Sequence, residues 1–332
     1  MKLPGPVHII NAAAILVGFV TEASGIEQRV QLKTTTGTLQ GTLELPTSTS
    51  PWTVVVIIAG SGPTDRDGNQ GLMKNNSLKL LGQALAAKGI ATLRYDKRGI
   101  AESASAAPKE EDLRFETYVA DVVQWVAWLR EDSRFRRVGL IGHSEGSLIG
   151  MLAAKQVKVD TFVSLAGSGR AAPALIREQV NTKLGPSLKA RSNQILDELV
   201  AGRIVTDIPK DLAALYRPSV QPYLISWFKY DPVREIAALE TPVLIVQGTT
   251  DLQISVDDAK RLAAAKKDAK LRLIDRMNHV LKHATTPAEQ EATYVDPSLP
   301  IEGQAVEEIT GFLGTEMTSG AEWPNPALQS DR

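Results

Sequence analysis

The sequence predicts an α/β fold: a mostly parallel central sheet flanked by helices, with a helical insertion. Three features predict it. Short apolar, β-branched runs alternate with amphipathic segments at helical spacing along most of the chain. Several of those runs lack polar alternation, which suits strands buried on both faces, as in a parallel sheet. Between about residues 170 and 240 the alternation stops, and the sequence there is amphipathic and helical.

Residues 28–33 and 38–45 alternate apolar and polar side chains around Thr36-Gly37, the pattern of an antiparallel hairpin. Residues 53–59 (TVVVIIA) form the first buried run and end at Gly60-Ser61-Gly62-Pro63. A helix is expected over 78–88, capped by Asn76 or Ser77 and stopped by Gly89, with the next strand over 90–95. Phe115, Val119, Val122, Val126 and Leu129 share one helix face. A strand (137–141), a helix (145–155) and a strand (161–165) follow. After the insertion come a strand over 243–246, a helix over 256–266, a strand over 270–274 and a closing helix over 304–313. The strands beyond residue 240 are too few for a separate sheet. One core is therefore expected from residues 26–169 and 241–314, with 170–240 inserted as a helical cap or lid, and 315–332, polar and rich in Pro and Ser, as a flexible tail.

Composition narrows the function classes. Lys plus Arg number 37 against 38 for Asp plus Glu, and with no like-charged block, nucleic acid is not an expected partner. Cysteine is absent, so disulfides, thiolate nucleophiles and Cys-ligated metals are excluded while the redox compartment stays open. Lys2, the mostly apolar stretch 7–20 and the small residues Ala23, Ser24 and Gly25 have the pattern of a secretory signal peptide over residues 1–25. That stretch is too short for a comfortable membrane span, so no integral span is expected. Secretion or a periplasmic location is the expectation; a cytoplasmic enzyme with an N-terminal extension is the alternative.

The chemistry concentrates at Gly142-His143-Ser144-Glu145-Gly146, a Gly-x-Ser-x-Gly set between an apolar strand and a helix. A sharp turn there lifts the Ser144 hydroxyl off the sheet, and the two glycines leave room for strand and helix. The N–H of Glu145, at the helix start, can face a developing oxyanion. The Glu145 side chain reads as a helix-start acid, with substrate contact as the alternative. The base must be one of four histidines. His8 lies in the leader, His143 adjoins the serine, and His283 reads as a surface or helix residue. His279 follows a strand end, at the edge where ligand sites of parallel sheets gather. Asp251, past the strand 243–246, is the candidate to orient the imidazole; Asp257 and Asp258 read as helix caps, and Asp275 is too close in sequence. Ser61 N–H, with Gly62 as fallback, is the second oxyanion donor, against the alternative of a plain Gly/Pro turn.

These motifs resemble the α/β-hydrolase superfamily over about residues 28–313, and among its members bacterial serine esterase-like hydrolases. The resemblance rests on the loop Gly60-Ser-Gly-Pro-Thr-Asp-Arg-Asp-Gly-Asn69, on Tyr95-Asp96-Lys97-Arg98-Gly99, on the Gly142 to Gly146 elbow, on Gly248-Thr-Thr-Asp251 and on Asn278-His279. The chain order Ser144, Asp251, His279 is that of the superfamily. Many relatives carry a second glycine where this chain has Ala101. Asp65, Arg66, Asp67, Asp96 and Arg98 read as braces of the loops beneath the site.

The expected function is hydrolysis of a small-molecule carboxylic ester through an acyl-enzyme on Ser144, without cofactor or metal. A serine peptidase or acyl thioesterase with the same triad is the alternative, and a non-catalytic binding protein of the same fold a third reading. Trp227 and Phe228, with Leu224, Ile225 and Tyr230, are candidates to line an acyl pocket or to pack the insertion on the core. Oligomeric state is left open by the sequence.

Overall fold

The computed structural model describes residues 25–107 and 109–317. Apart from Gly25, the signal segment expected over 1–25 lies outside the described residues, as does the expected tail from residue 318. Residues 315 and 316 belong to the last helix and Met317 is 2% exposed, so that helix runs past the boundary expected at 314.

Eight strands form one sheet among the described residues: β1 (Ile26–Thr34), β2 (Gly37–Leu45), β3 (Trp52–Ile58), β4 (Ile90–Tyr95), β5 (Phe135–His143), β6 (Thr161–Leu165), β7 (Val243–Gly248) and β8 (Lys270–Ile274). Their order is β1-β2-β4-β3-β5-β6-β7-β8. The β1–β2 hairpin pairs antiparallel and lies antiparallel on β4, whereas every pair from β4 to β8 is parallel. From β3 the chain steps first to β4 on one side and then to β5 on the other. Beyond the carboxyl ends of β3 and β5 that reversal opens a crevice, the usual ligand position in such sheets.

The unbroken apolarity of residues 53–59 follows from burial on both faces. Val54, Val56 and Ile58 belong to the core layer that also takes in α2 (Phe115–Arg130), α3 (Glu145–Gln156) and α9 (Val256–Ala265), while Val55, Ile57 and Ala59 belong to the layer of α1 (Ser77–Ala87) and α11 (Gly303–Glu316). Each of these valines and isoleucines contributes roughly 2 kcal/mol by area removed from water, so β3 is a major anchor of the layers.

Between β6 and β7 lie α4 (Ala172–Lys183), α5 (Pro186–Val200), α6 (Ala213–Tyr216), α7 (Gln221–Trp227) and α8 (Pro232–Ala237), all helical as expected. Ile176, Leu196, Tyr216, Leu224 and Ile236 join the core cluster on the α2–α3 face. One further helix, α10 (Pro287–Val295), lies between β8 and α11; no element was expected there. Among the described residues, no helix is long and apolar enough to cross a membrane.

Candidate active site

At the end of β5 the backbone turns sharply into α3, and Ser144 sits on that turn with φ 55° and ψ −120°. A side chain at positive φ costs on the order of 1–3 kcal/mol, so the surroundings must hold it there. They do so through Ser144 N donating to the Leu165 carbonyl at 2.9 Å and Ser147 N donating to the Ser144 carbonyl at 3.0 Å. The flanking glycines are required sterically. A Cβ on Gly142 would lie 2.3 Å from the Gly146 carbonyl oxygen, and one on Gly146 would lie 2.3 Å from that of Ile58. Strand and helix therefore touch through backbone, and the hydroxyl-bearing residue is displaced outward. Glu145 is the first residue of α3, where N–H groups lack intrahelical partners.

The loop after β3 reaches the same point. A Cβ on Gly60 would lie 3.2 Å from Ser144 Cβ, a tight approach that puts the backbone of this loop close beside the serine. Buried ion pairs hold this loop down. Asp96, at the end of β4, accepts from Arg66 N at 2.8 Å and from Arg66 Nη2 at 2.7 Å, and Arg94 pairs with Asp67 and Glu44. Arg98 Nε donates to Asp121 at 3.1 Å. Asp65 accepts from the N–H of Asp67 and Asn69, so Asp65, Arg66, Asp67, Asp96 and Arg98 brace loops as the sequence suggested, with Arg94, Glu44 and Asp121 as partners it did not single out.

On the other side of Ser144 two loops are joined. Thr249 N donates to the Ile274 carbonyl at 2.9 Å and Thr250 N to that of Met277 at 3.2 Å. This brings Asp251 Oδ2 to 2.8 Å from His279 Nδ1, with Asp251 fully enclosed and the imidazole 7% exposed. Burial alone would raise the Asp251 carboxyl. The adjoining imidazole and the N–H groups of Ile254 and Gln253 outweigh it and hold the group below its ordinary value. An imidazole held through Nδ1 by a carboxylate leaves Nε2 as the nitrogen able to take a proton from a hydroxyl. His279 and Ser144 both line a cavity of about 150 Å³. Ser144 and Ser61 also line a larger one, of about 560 Å³, walled by Glu145, Leu148 and side chains of α4, α6 and α7.

Comparison with known proteins identifies the family and the fold. Residues 74–284 match the family described as serine aminopeptidase, S33, a span that covers most of the chain. The chain belongs to that hydrolase family. Over 262 residues it is 28% identical to "Esterase EstD" of Thermotoga maritima, a match that takes in 76% of this chain and 60% of that protein. The chain thus spans about 60% of the length of this curated relative. Among solved structures, Est1E from Butyrivibrio proteoclasticus superposes with a TM-score of 0.60 at 18% identity, covering 89% of this chain and 100% of that one. A Pyrococcus furiosus esterase, Pf2001, gives 0.55 at 16% identity, over 88% of this chain and 92% of that one. The fold is the α/β-hydrolase fold.

The other sequence candidates divide. Trp227 lines the larger cavity. Phe228 is not among its lining residues, because successive side chains at a helix end point about 100° apart; it packs on Trp227 with ring centroids 6.3 Å apart. His283 is solvent-exposed and bonded to Glu302, and His8 lies outside the described residues. Asp258 caps α9 and pairs with Arg170, Asp257 faces Lys260, and Asp275 accepts from the Thr249 hydroxyl. At α1 the cap position is Asn76, without a side-chain cap bond.

Gln247 was missed in the sequence, as were the side-chain partners of Asn278 and Glu145. Gln247, inside β7, donates to Asp251 Oδ2 at 3.1 Å and to the Ile254 carbonyl at 3.0 Å. Asn278 Oδ1 accepts from the N–H of Val280 and Lys282 while its Nδ2 donates to Thr293 at 2.7 Å, so α10 steadies the His279 loop. The signal for α10 was present: Thr286-Pro287 with Glu289 forms a capping box. Glu145 accepts from the Tyr223 hydroxyl at 2.6 Å and from Lys97 Nζ at 3.2 Å, which ties the insertion to the elbow. Burial, with the Glu145 charge adding to it, pushes the Tyr223 hydroxyl far above its ordinary value, so it serves as a donor.

Proposed function

We propose that this chain hydrolyses carboxylic esters through a covalent acyl-enzyme on Ser144. The observation that carries this reading is the 2.8 Å contact between Asp251 and His279, whose imidazole lines a cavity that also holds a serine on a strained elbow. His279 takes the Ser144 proton as the hydroxyl attacks the carbonyl, and Asp251 stabilises the imidazolium. The N–H groups of Ser61 and Glu145 hold the oxyanion. His279 then protonates the leaving alcohol and activates the water that releases the acid. The named activity of the Thermotoga maritima relative supports an ester as substrate.

The family description raises a second reading, an aminopeptidase. Such an enzyme needs a carboxylate free to hold the substrate's ammonium. Among the described residues lining the two cavities the carboxylates are Glu110 and Glu145, and each is already bonded, to Arg217 and Ser219 and to Lys97 and Tyr223 respectively. That favours an ester over an amino-terminal peptide. The insertion, which walls the larger cavity, acts as its cap, and the leader over residues 1–25 directs export.

Turnover of ethyl esters, acyl-CoA thioesters and aminoacyl arylamides by the purified protein, with Ser144→Ala as the blank, tests the reading. Ester turnover abolished by the substitution is expected. Faster turnover of the arylamides or thioesters would replace the ester assignment.

A further inference from the structure

Ser144 stands where two cavities meet, and they differ in size and in nearness to the imidazole. The larger, about 560 Å³, holds Glu145, Leu148, Ile176, Leu224 and Trp227. The smaller, about 150 Å³, holds His279, Val280, Asn75 and Tyr294. Ser61, Gln70, Ser144 and Gln253 line both. In acyl transfer the imidazole hands its proton to the departing oxygen, so the leaving alcohol lies on the imidazole's side of the serine. The acyl chain then points the other way, past the start of α3.

We propose, building on the ester reading above, that the small cavity takes the alcohol and the large one the acyl group. The substrate class is then an ester of a bulky acid with a short alcohol. The acid's tail is uncharged: the charged side chains lining the large cavity among the described residues pair with protein partners, Lys97 with Glu145, Arg217 with Glu110 and Arg170 with Asp258. An ionic tail would enter that apolar wall without a counter-charge, which is unfavourable.

Three esters of similar mass separate the possibilities: ethyl octanoate, octyl acetate and monoethyl suberate. The expected kcat/KM for ethyl octanoate is about tenfold or more above both others, the scale of discrimination a mismatched pocket gives. Octyl acetate equal or better would overturn the assignment of the cavities, and monoethyl suberate equal or better would overturn the uncharged tail. Absence of turnover for all three, by protein that still reacts covalently at Ser144, would overturn the ester reading and this inference with it.

Lys97 supports a second inference, from a different observation, which rests on the oxyanion site proposed above. Its side chain is 1% exposed, and Nζ donates to the Gly60 carbonyl at 2.5 Å as well as to Glu145. The Gly60 carbonyl and the Ser61 N–H belong to one planar peptide unit. A cation on that oxygen fixes where the N–H points and polarises it as a donor. Glu145 supplies the other N–H, so one ion pair links both halves of the oxyanion site. We infer that Lys97 is its positioning residue.

Lys97→Met is expected to lower kcat about tenfold or more with KM little changed, since the oxyanion forms only along the reaction path. Affinity for an alkyl boronic acid, which forms a tetrahedral adduct on the serine, should fall in step, and Lys97→Arg should recover part of both. The double variant Lys97→Met/Glu145→Gln keeps the interior neutral should the single variant fail to fold. A folded variant with unchanged kcat and boronate affinity, or with KM raised alone, would overturn the inference.

Discussion

His143 Nε2 lies 2.8 Å from the carbonyl oxygen of His279, with the two rings 4.8 Å apart. A carbonyl only accepts, so Nε2 carries the hydrogen, and the residue beside the elbow serine fastens the loop that presents the other imidazole. Burial, with the neighbouring His279 adding to it, pushes His143 down to about 4. The unfolded imidazole protonates near 6.5 and the folded one only near 4, so between these values the unfolded chain binds the extra proton. Stability is therefore complete above 6.5 and falls as pH is lowered toward 4, by on the order of 3 kcal/mol. Urea unfolding across this window, for the native chain and His143→Phe, should show a flatter dependence in the variant. Parallel curves would refute the assignment.

Asp251→Asn should lower kcat by about 10³–10⁴-fold with the fold retained, because an amide no longer holds the imidazole in the productive tautomer. Gln247→Met should cost less, about tenfold, since Asp251 loses one of several donors while the N–H bonds of Gln253 and Ile254 remain. Steady-state kinetics on one ethyl ester checks both, and equal losses would mean that Gln247 does more than orient the carboxylate.

Gly146→Ala places a methyl 2.3 Å from the Ile58 carbonyl oxygen, a contact that forces strand and helix apart. Destabilisation of about 3 kcal/mol or more is expected, read from the urea midpoint. A midpoint within error of the native chain would show that the elbow has slack.

Arg66→Met should cost about 3–5 kcal/mol, because Asp96, 1% exposed, would be left buried without its guanidinium partner. Differential scanning calorimetry measures the loss. Arg66→Met/Asp96→Asn, which removes both charges, should recover part of it, and failure to recover any would place the cost in packing.

What could be read from the sequence was what is local along the chain. The strands 90–95, 161–165 and 270–274 have the expected limits, because period and flanking turns mark them. Ser144, Asp251 and His279 each sit just past a strand end, and a parallel sheet brings such ends to one edge. The contacts among Lys97, Glu145 and Tyr223 were not legible: they span 48 and 78 residues and depend on how the insertion docks. Lys97 in particular stood in the sequence only as one residue of the Tyr95 to Gly99 motif, with no role of its own. Phe228 was grouped with Trp227 by proximity in sequence, but only Trp227 faces the cavity. The missed helix α10 had its capping box in plain view, but it lacked the apolar face by which the other helices were recognised.

The proposed reaction requires the Ser144 hydroxyl to be an activated nucleophile. Incubating the folded protein with an alkyl fluorophosphonate and mapping the adduct by peptide mass spectrometry tests it directly. One adduct per chain, on the peptide containing Ser144, slowed strongly in His279→Gln and absent in Ser144→Ala, is the expected result. A folded protein that takes up no label, or takes it on a different serine, would rule out Ser144 as the nucleophile.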